Sequence, residues 1–315
     1  MSVEFCKTGE KTVLCASEVR RALVVAAAGR HNILLVGSPG CGKTRYANYM
    51  RLLTPIPTKE KLESASRIHS LAGIMPPEGL KEAPFRHPHQ TATIGGMFGG
   101  GAELRPGEVS LAHNGILFLE DAAEFRASVL QVLRVPMETQ SITLSRAGRS
   151  TVFPADFQLV MTANPCPCGN HGSEEKVCLC SARSVEMYWK KFSAPLLDRI
   201  EIIVCVGDDD EVSEFSLDGM REEVAVAVEA QRERQGKPNE RLAPEEVAKF
   251  CDGLMDVTAL ALVHKKLSDR GKAIVKKVAR TLADLDGTDA MGGEDVAEAL
   301  RLYNFEFRSS KNEKA

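Results

Sequence analysis

The chain is poor in aromatic residues, which make up 5% of its 315 positions, and Trp189 is its only tryptophan. So few rings argue against a surface that grips single-stranded nucleic acid by base stacking. A long apolar run is missing too. The longest, Ala22 to Ala28, falls far short of the roughly 20 residues a membrane helix needs. Met1 to Glu10 lacks the basic-then-apolar plan of a signal peptide, so the expectation is a cytoplasmic protein with no membrane partner. Net charge is nearly absent at −3, which alone names no partner. Repeats and low-complexity tracts are absent apart from the glycine cluster Gly95 to Gly101.

What is present is an ordinary globular composition, 43% hydrophobic and 26% charged, long enough for about two domains. The small net charge hides a split. Residues 1–206 carry 23 Lys+Arg against 19 Asp+Glu, a net of +4, and residues 207–315 carry 17 against 24, a net of −7.

The first two thirds alternate buried-strand runs with helical patterns, the signature of an α/β fold with a parallel sheet between helices. Asn32 to Gly37, Ile116 to Glu120, Phe157 to Thr162 and Ile200 to Val206 read as strands, and Lys43 to Leu53 as a helix stopped by Pro55 and Pro57. A further strand expected between Leu62 and Leu71 shows no clear pattern. Ser141 to Phe153 alternates around Ala147-Gly148 and predicts a β-hairpin with Arg146 and Arg149 at its tip. After Gly207 the sequence turns helical and acidic. Pro244 opens one helix, Ser268 or Asp269 caps another, and Gly287 ends that one. The boundary falls within Gly207 to Glu214, giving domains 1–206 and 207–315.

Gly37-Ser38-Pro39-Gly40-Cys41-Gly42-Lys43-Thr44 fits G-x-x-x-x-G-K-[ST] at every fixed position, after a strand and at the start of a helix. Glycines let backbone N–H groups face phosphate oxygens, and the helix N-terminus adds its positive end. Lys43 would reach the β- and γ-phosphates of ATP, and the Thr44 hydroxyl would hold Mg²⁺. Glu120 and Asp121 end a neighbouring strand. One would hold the metal and the other orient the attacking water; the plain alternative is a solvated acidic pair.

Of nine cysteines, four crowd into fifteen residues as Cys166-x-Cys168 and Cys178-x-Cys180. Four thiolates suit a structural Zn²⁺, with His171 able to replace one ligand. Reduced unliganded cysteines, an iron–sulfur cluster and a redox disulfide are the alternatives. Cys6, Cys15, Cys41, Cys205 and Cys251 read as small packing residues. His87 and His89 flank Pro88 without a third ligand and read as hydrogen-bonding core or loop residues.

With these pieces the chain resembles the magnesium-chelatase-like AAA+ ATPases, most closely the ComM/YifB branch, over roughly residues 10 to 308. The strings that carry the likeness include Ile68-His69-Ser70-Leu71-Ala72-Gly73, Pro84-Phe85-Arg86 with Pro88-His89, and Pro106 through Gly115. Asn164-Pro165-Cys166-Pro167-Cys168-Gly169 and Pro195 through Ile200 complete it. The resemblance implies an AAA+ core with a helix-2 insert and a pre-sensor-1 hairpin, followed by an all-α lid. It implies Asn164 as sensor 1, Arg199 as an arginine finger acting on the next subunit, Arg270 as the lid's sensor 2, and a hexameric ring.

Two departures bear on function. The family usually ends this strand in Asp-Glu, whereas this chain has Glu120-Asp121. Glu120 at the metal position is one methylene longer, and Asp121 at the water position one shorter. A displacement of about 1 Å at a positioning group costs on the order of a hundredfold in rate. Firm Mg·ATP binding with slow hydrolysis is therefore expected. A one-residue shift at the strand end could instead let Asp121 bind Mg²⁺, leaving Glu124 too far along. ComM-type proteins also carry a Lon-protease-like domain ahead of this module, which here begins almost at Met1. The expectation is that a protein partner supplies that missing function.

Three readings compete for what the ring acts on. The basic first domain and Arg146 and Arg149 would line a pore with positive charge and contact DNA backbone, which needs no sequence reading; the bland alternative is a solvated turn. The second reading is remodelling of a protein partner, as in chelatase and MoxR relatives. The third is a nucleotide-gated scaffold with little hydrolysis.

Overall fold

The computed structural model describes residues 3–172, 176–207, 210–251, 267–304 and 307. The chain opens with β1 (Thr12–Ala16), α1 (Ser17–Gly29), β2 (Ile33–Gly37), α2 (Lys43–Leu53) and α3 (Lys59–Ala72). Short pieces follow: β3 (Phe85–Arg86), α4 (Ile94–Phe98), β4 (Gly99–Gly100), β5 (Arg105–Pro106) and α5 (Glu108–Leu111). Next come β6 (Ile116–Leu119), α6 (Ala127–Thr139), β7 (Ser141–Arg146), β8 (Arg149–Pro154) and β9 (Gln158–Ala163). The remaining described elements are α7 (Ala182–Lys190), α8 (Ala194–Leu197), β10 (Ile202–Val206), β11 (Val212–Ser216), α9 (Leu217–Gln235), α10 (Pro244–Phe250), α11 (Asp269–Leu285) and α12 (Gly293–Tyr303).

Five strands form one sheet in the order β10-β2-β9-β6-β3, with β3–β6 and β6–β9 parallel. β2, β6 and β9 are buried at every position. That is why they read as unbroken apolar runs: a sheet covered on both faces leaves no strand position for water. The expected strand between Leu62 and Leu71 is instead part of helix α3. Its buried residues Ala65, Ile68 and His69 stand at i, i+3 and i+4, a helical spacing. The fifth strand is the two-residue β3, between prolines.

The hairpin β7–β8 forms as expected, with Arg146 paired to Arg149. Ala147 and Gly148 both take positive φ, 48° and 77°, as a turn matched to strand twist requires. Ile142 and Phe153 pair at its base and are buried, while both arginines are exposed.

By packing, the chain divides into two compact units, residues 1–34, 48–55 and 200–315 in one and 35–47 and 56–199 in the other. The composition boundary at 206/207 lies inside the first. In that unit α1, whose buried face runs from Val19 through Gly29, packs on α9 and α11. A polar layer sits within this packing. Asp284 accepts two bonds from Arg234 at 2.6 and 2.8 Å, one from Arg280 at 3.0 Å and one from Asn239 at 2.9 Å. Ser268 caps α11, accepting from the Gly271 N–H at 3.1 Å.

Candidate functional site

The site lies in the second unit, where β2, β6 and β9 end and α2 begins. Gly40 and Gly42 hold φ of 95° and 93°, which L side chains rarely adopt, and this lets the loop Gly37–Thr44 curl back on itself. Lys43 opens α2 and is buried. Its ammonium donates to Gly37 O at 2.8 Å, Ser38 O at 2.7 Å and Asn164 Oδ1 at 3.1 Å. These three acceptors are neutral. Phosphate oxygens arriving in the loop would replace neutral acceptors with charged ones, a stronger class of hydrogen bond.

β6 ends at Leu119, so Glu120 is the first residue past the strand. One Glu120 oxygen accepts from the Thr44 hydroxyl, and the other lies 3.1 Å from His87 Nε2. The loop hydroxyl and the carboxylate thus meet in space, the hard-oxygen pair a Mg²⁺ ion takes. Asp121 turns away into the left-handed region, φ 46°, with its N–H donating to Thr162 Oγ1 at 2.9 Å. Burial pushes its carboxyl upward, Lys43 opposes the shift, and Glu120 and Glu124 add to it.

Asn164 follows β9, and its N–H donates to the Tyr188 hydroxyl at 3.1 Å. Burial lifts that phenol well above its ordinary range. The next helical residue, Trp189, donates its indole N–H to Pro165 O at 2.9 Å. Sequence reasoning gave neither ring a role, although a lone tryptophan in a helix with an apolar face was a usable signal.

The four clustered cysteines come together. The Cys166, Cys168 and Cys178 sulfurs lie 3.4 to 3.7 Å apart, and all four fall within 4.8 Å of one another. A tetrahedron of thiolates at 2.3 Å from zinc has edges of about 3.8 Å, so the donor set fits that ion. The Asn170 N–H leads the groups that hold the Cys168 thiol down, to about 6, while Cys180 is raised to about 12. Of the scattered cysteines, Cys6, Cys15 and Cys251 are buried as packing residues, and Cys41 is half-buried. Cys205 is exposed, with its sulfur 3.7 Å from the Asn304 amide, so packing does not describe it.

Arg199 is held within its own chain. Its guanidinium donates to Glu138 Oε2 and to Pro195 O, both at 2.6 Å. Arg270 is exposed in the first turn of α11, in the first unit. Arg146 and Arg149 stay at the hairpin tip. His89 is a loop residue bonded to Thr91 at 2.9 Å, as expected. His87 Nε2 lies 3.1 Å from a Glu120 carboxylate oxygen, a partner nothing in the sequence pointed to.

The family described as magnesium chelatase, subunit ChlI, matches residues 11–214, and the description of that subunit's C-terminal part matches residues 215–303. Protein YifB of Salmonella typhimurium is 36% identical over 302 residues, covering 92% of this chain and 59% of the relative. The competence protein ComM of Haemophilus influenzae is 37% identical over 306 residues, covering 91% and 58%. The DNA replication licensing factor MCM2 of Arabidopsis thaliana is 25% identical over 293 residues, covering 90% and 28%. The chain thus spans about three fifths of the length of the first two relatives. Among the described residues, no helix is long and apolar enough to cross a membrane.

Proposed function

The chain belongs to the magnesium chelatase subunit ChlI family, and from that membership we propose an AAA+ ring protein that couples Mg·ATP binding and hydrolysis to the remodelling of DNA. The observation that carries nucleotide binding is the pair of bonds that join the glycine-rich loop to the two neighbouring strand ends, Lys43 to Asn164 and Thr44 to Glu120. Lys43 neutralises phosphate charge, Thr44 and Glu120 hold Mg²⁺, Asp121 orients water and Asn164 senses the γ-phosphate. Arg199 acts on the neighbouring subunit's ATP in a hexamer, and Arg270 acts from the lid. Cys166, Cys168, Cys178 and Cys180 hold a structural zinc that pins the loop after Asn164.

The exposed Arg146 and Arg149 support DNA as the substrate, since paired cations on a projecting hairpin suit phosphate backbone. Likeness to a competence protein and to a replication licensing factor favours the same reading. The test is an ATPase assay with and without single- and double-stranded DNA, with Lys43→Ala as the inactive control. DNA is expected to stimulate turnover, and Arg146→Ala/Arg149→Ala to abolish the stimulation. Stimulation by a protein partner alone would replace DNA with that partner. The side chain of Asp121, one methylene shorter than glutamate, favours one other reading, a nucleotide-gated scaffold. Background turnover with ATP-dependent ring formation would select it.

A further inference from the structure

We propose that His87 is a positioning residue that fixes Glu120 for the nucleotide's metal ion. The proposal rests on the reading of Glu120 as the metal-side carboxylate.

His87 is the residue after β3, whose parallel register pairs Phe85 with Ile116 and Arg86 with Leu117. Continuing that register brings His87 opposite Phe118, and their rings lie 4.5 Å apart at 31°. The strand that leads into it is anchored next door, where Arg86 makes two bonds to Glu108 at 2.7 and 2.8 Å. From this fixed place His87 Nε2 reaches Glu120 Oε2 at 3.1 Å, while Glu120 Oε1 accepts from Thr44. The carboxylate is thus held at both oxygens, from two different elements.

A glutamate needs such holding. It carries one more rotatable bond than aspartate, and with an exposed side chain (36%) it would otherwise sample many orientations. Thr44 alone cannot keep it in place, because the metal draws on that same hydroxyl and oxygen. The His87 contact falls on the oxygen that Thr44 does not use and restrains it.

The experiment is a titration of Mg²⁺ against a fluorescent ATP analogue, run beside the analogue's affinity in EDTA. His87→Ala is expected to raise the half-saturating Mg²⁺ about fivefold to tenfold, the net worth of one ordinary polar contact. Metal-free affinity should not change. His87→Gln, which can still donate toward Oε2, should restore most of the loss. His87→Phe, which keeps the contact with Phe118 but cannot donate, should not. With Glu120→Asp the carboxylate draws back from the imidazole, so His87→Ala should add nothing further. If Glu120→Ala changes the Mg²⁺ requirement and His87→Ala does not, or if His87→Phe restores it, the proposal is overturned. If Glu120→Ala leaves the Mg²⁺ requirement unchanged, the underlying reading of Glu120 fails instead.

Discussion

Gly169, in the cysteine loop, lies directly against Pro39 of the phosphate loop. A β-carbon at Gly169 would stand 2.4 Å from Pro39 Cδ and 2.6 Å from its Cγ, with φ already at +83°. The cysteine loop and the glycine-rich loop of residues 37–44 therefore share a wall. Neither side yields easily, since proline has little backbone freedom and Gly169 sits between Cys168 and the rest of its loop. Gly169→Ala should weaken ATP-analogue binding about threefold to tenfold while leaving the metal content of the purified protein unchanged. Gly172→Ala is the control: φ there is +84°, but no atom of the described residues lies within 4 Å of the added carbon. It should carry the backbone strain without the affinity loss. Equal affinity losses in the two variants would mean that loop strain, not the contact with Pro39, sets nucleotide affinity.

Glu201 gives a pH signature. It is buried and accepts from the Asn32 N–H at 2.8 Å. Burial and then the Glu240 charge lift its carboxyl to about 7, with Lys277 opposing. Between the ordinary glutamate value of 4.5 and about 7 the folded chain keeps a proton that the unfolded chain releases, so stability falls as pH rises through that window and levels off above it. Glu201→Gln keeps an acceptor for Asn32 and removes the titration. Its melting temperature should exceed the parent's above pH 7, with the difference shrinking toward pH 4.5. His31 acts at the other end: burial, then Lys277, depresses it from 6.5 to about 3, so its contribution is lost as pH falls through that interval. Parallel melting curves for parent and Glu201→Gln from pH 5 to 8 would refute the assignment.

How much of this was legible in the sequence depends on the range of the interaction. β2, β6, β9 and the phosphate loop could be read because burial on both faces and the glycine spacing are local properties of the chain. The hairpin was legible for the same reason, its alternation and its Ala147-Gly148 turn being contiguous. β3 was not, since two residues between prolines show no period. The contacts of His87 with Glu120 and Gly169 with Pro39 join residues 33 and 130 positions apart, which no periodicity reports. Asn164 became a candidate only through resemblance. Its bond to Lys43 is a geometric fact that spacing could not supply.

The polar layer around Asp284 makes a stability prediction. Asp284 and Arg280 side chains are each 1% exposed, and Arg234 is 19% exposed. Asp284→Ala would leave two guanidinium groups facing a place with no counter-charge. Breaking such a buried pair by removing one partner costs about 3–5 kcal/mol. Asp284→Asn, which keeps the shape and one acceptor, should cost less. Chemical denaturation measures both, and a loss under 1 kcal/mol for Asp284→Ala would show that water already reaches this layer.

Arg199 is the residue whose present partners and proposed role pull apart. To act on a neighbouring subunit's ATP its guanidinium has to leave Glu138, which it meets at 2.6 Å. The Glu138 side chain is 63% exposed, so solvent screens the pair and the hold is modest. Release is thus a small step before each productive engagement. Glu138→Gln lowers that step without touching the nucleotide loop, and should raise turnover of the assembled ring about twofold to fivefold. Arg199→Ala should reduce turnover to background with ATP affinity unchanged, because a group that acts only on transferred charge adds nothing to ground-state binding. Steady-state ATPase rates set beside nucleotide titrations separate the two effects. If Arg199→Ala turns over ATP at the parent rate and only melts earlier, Arg199 belongs to the packing of α6 against α8 and the finger must be sought elsewhere.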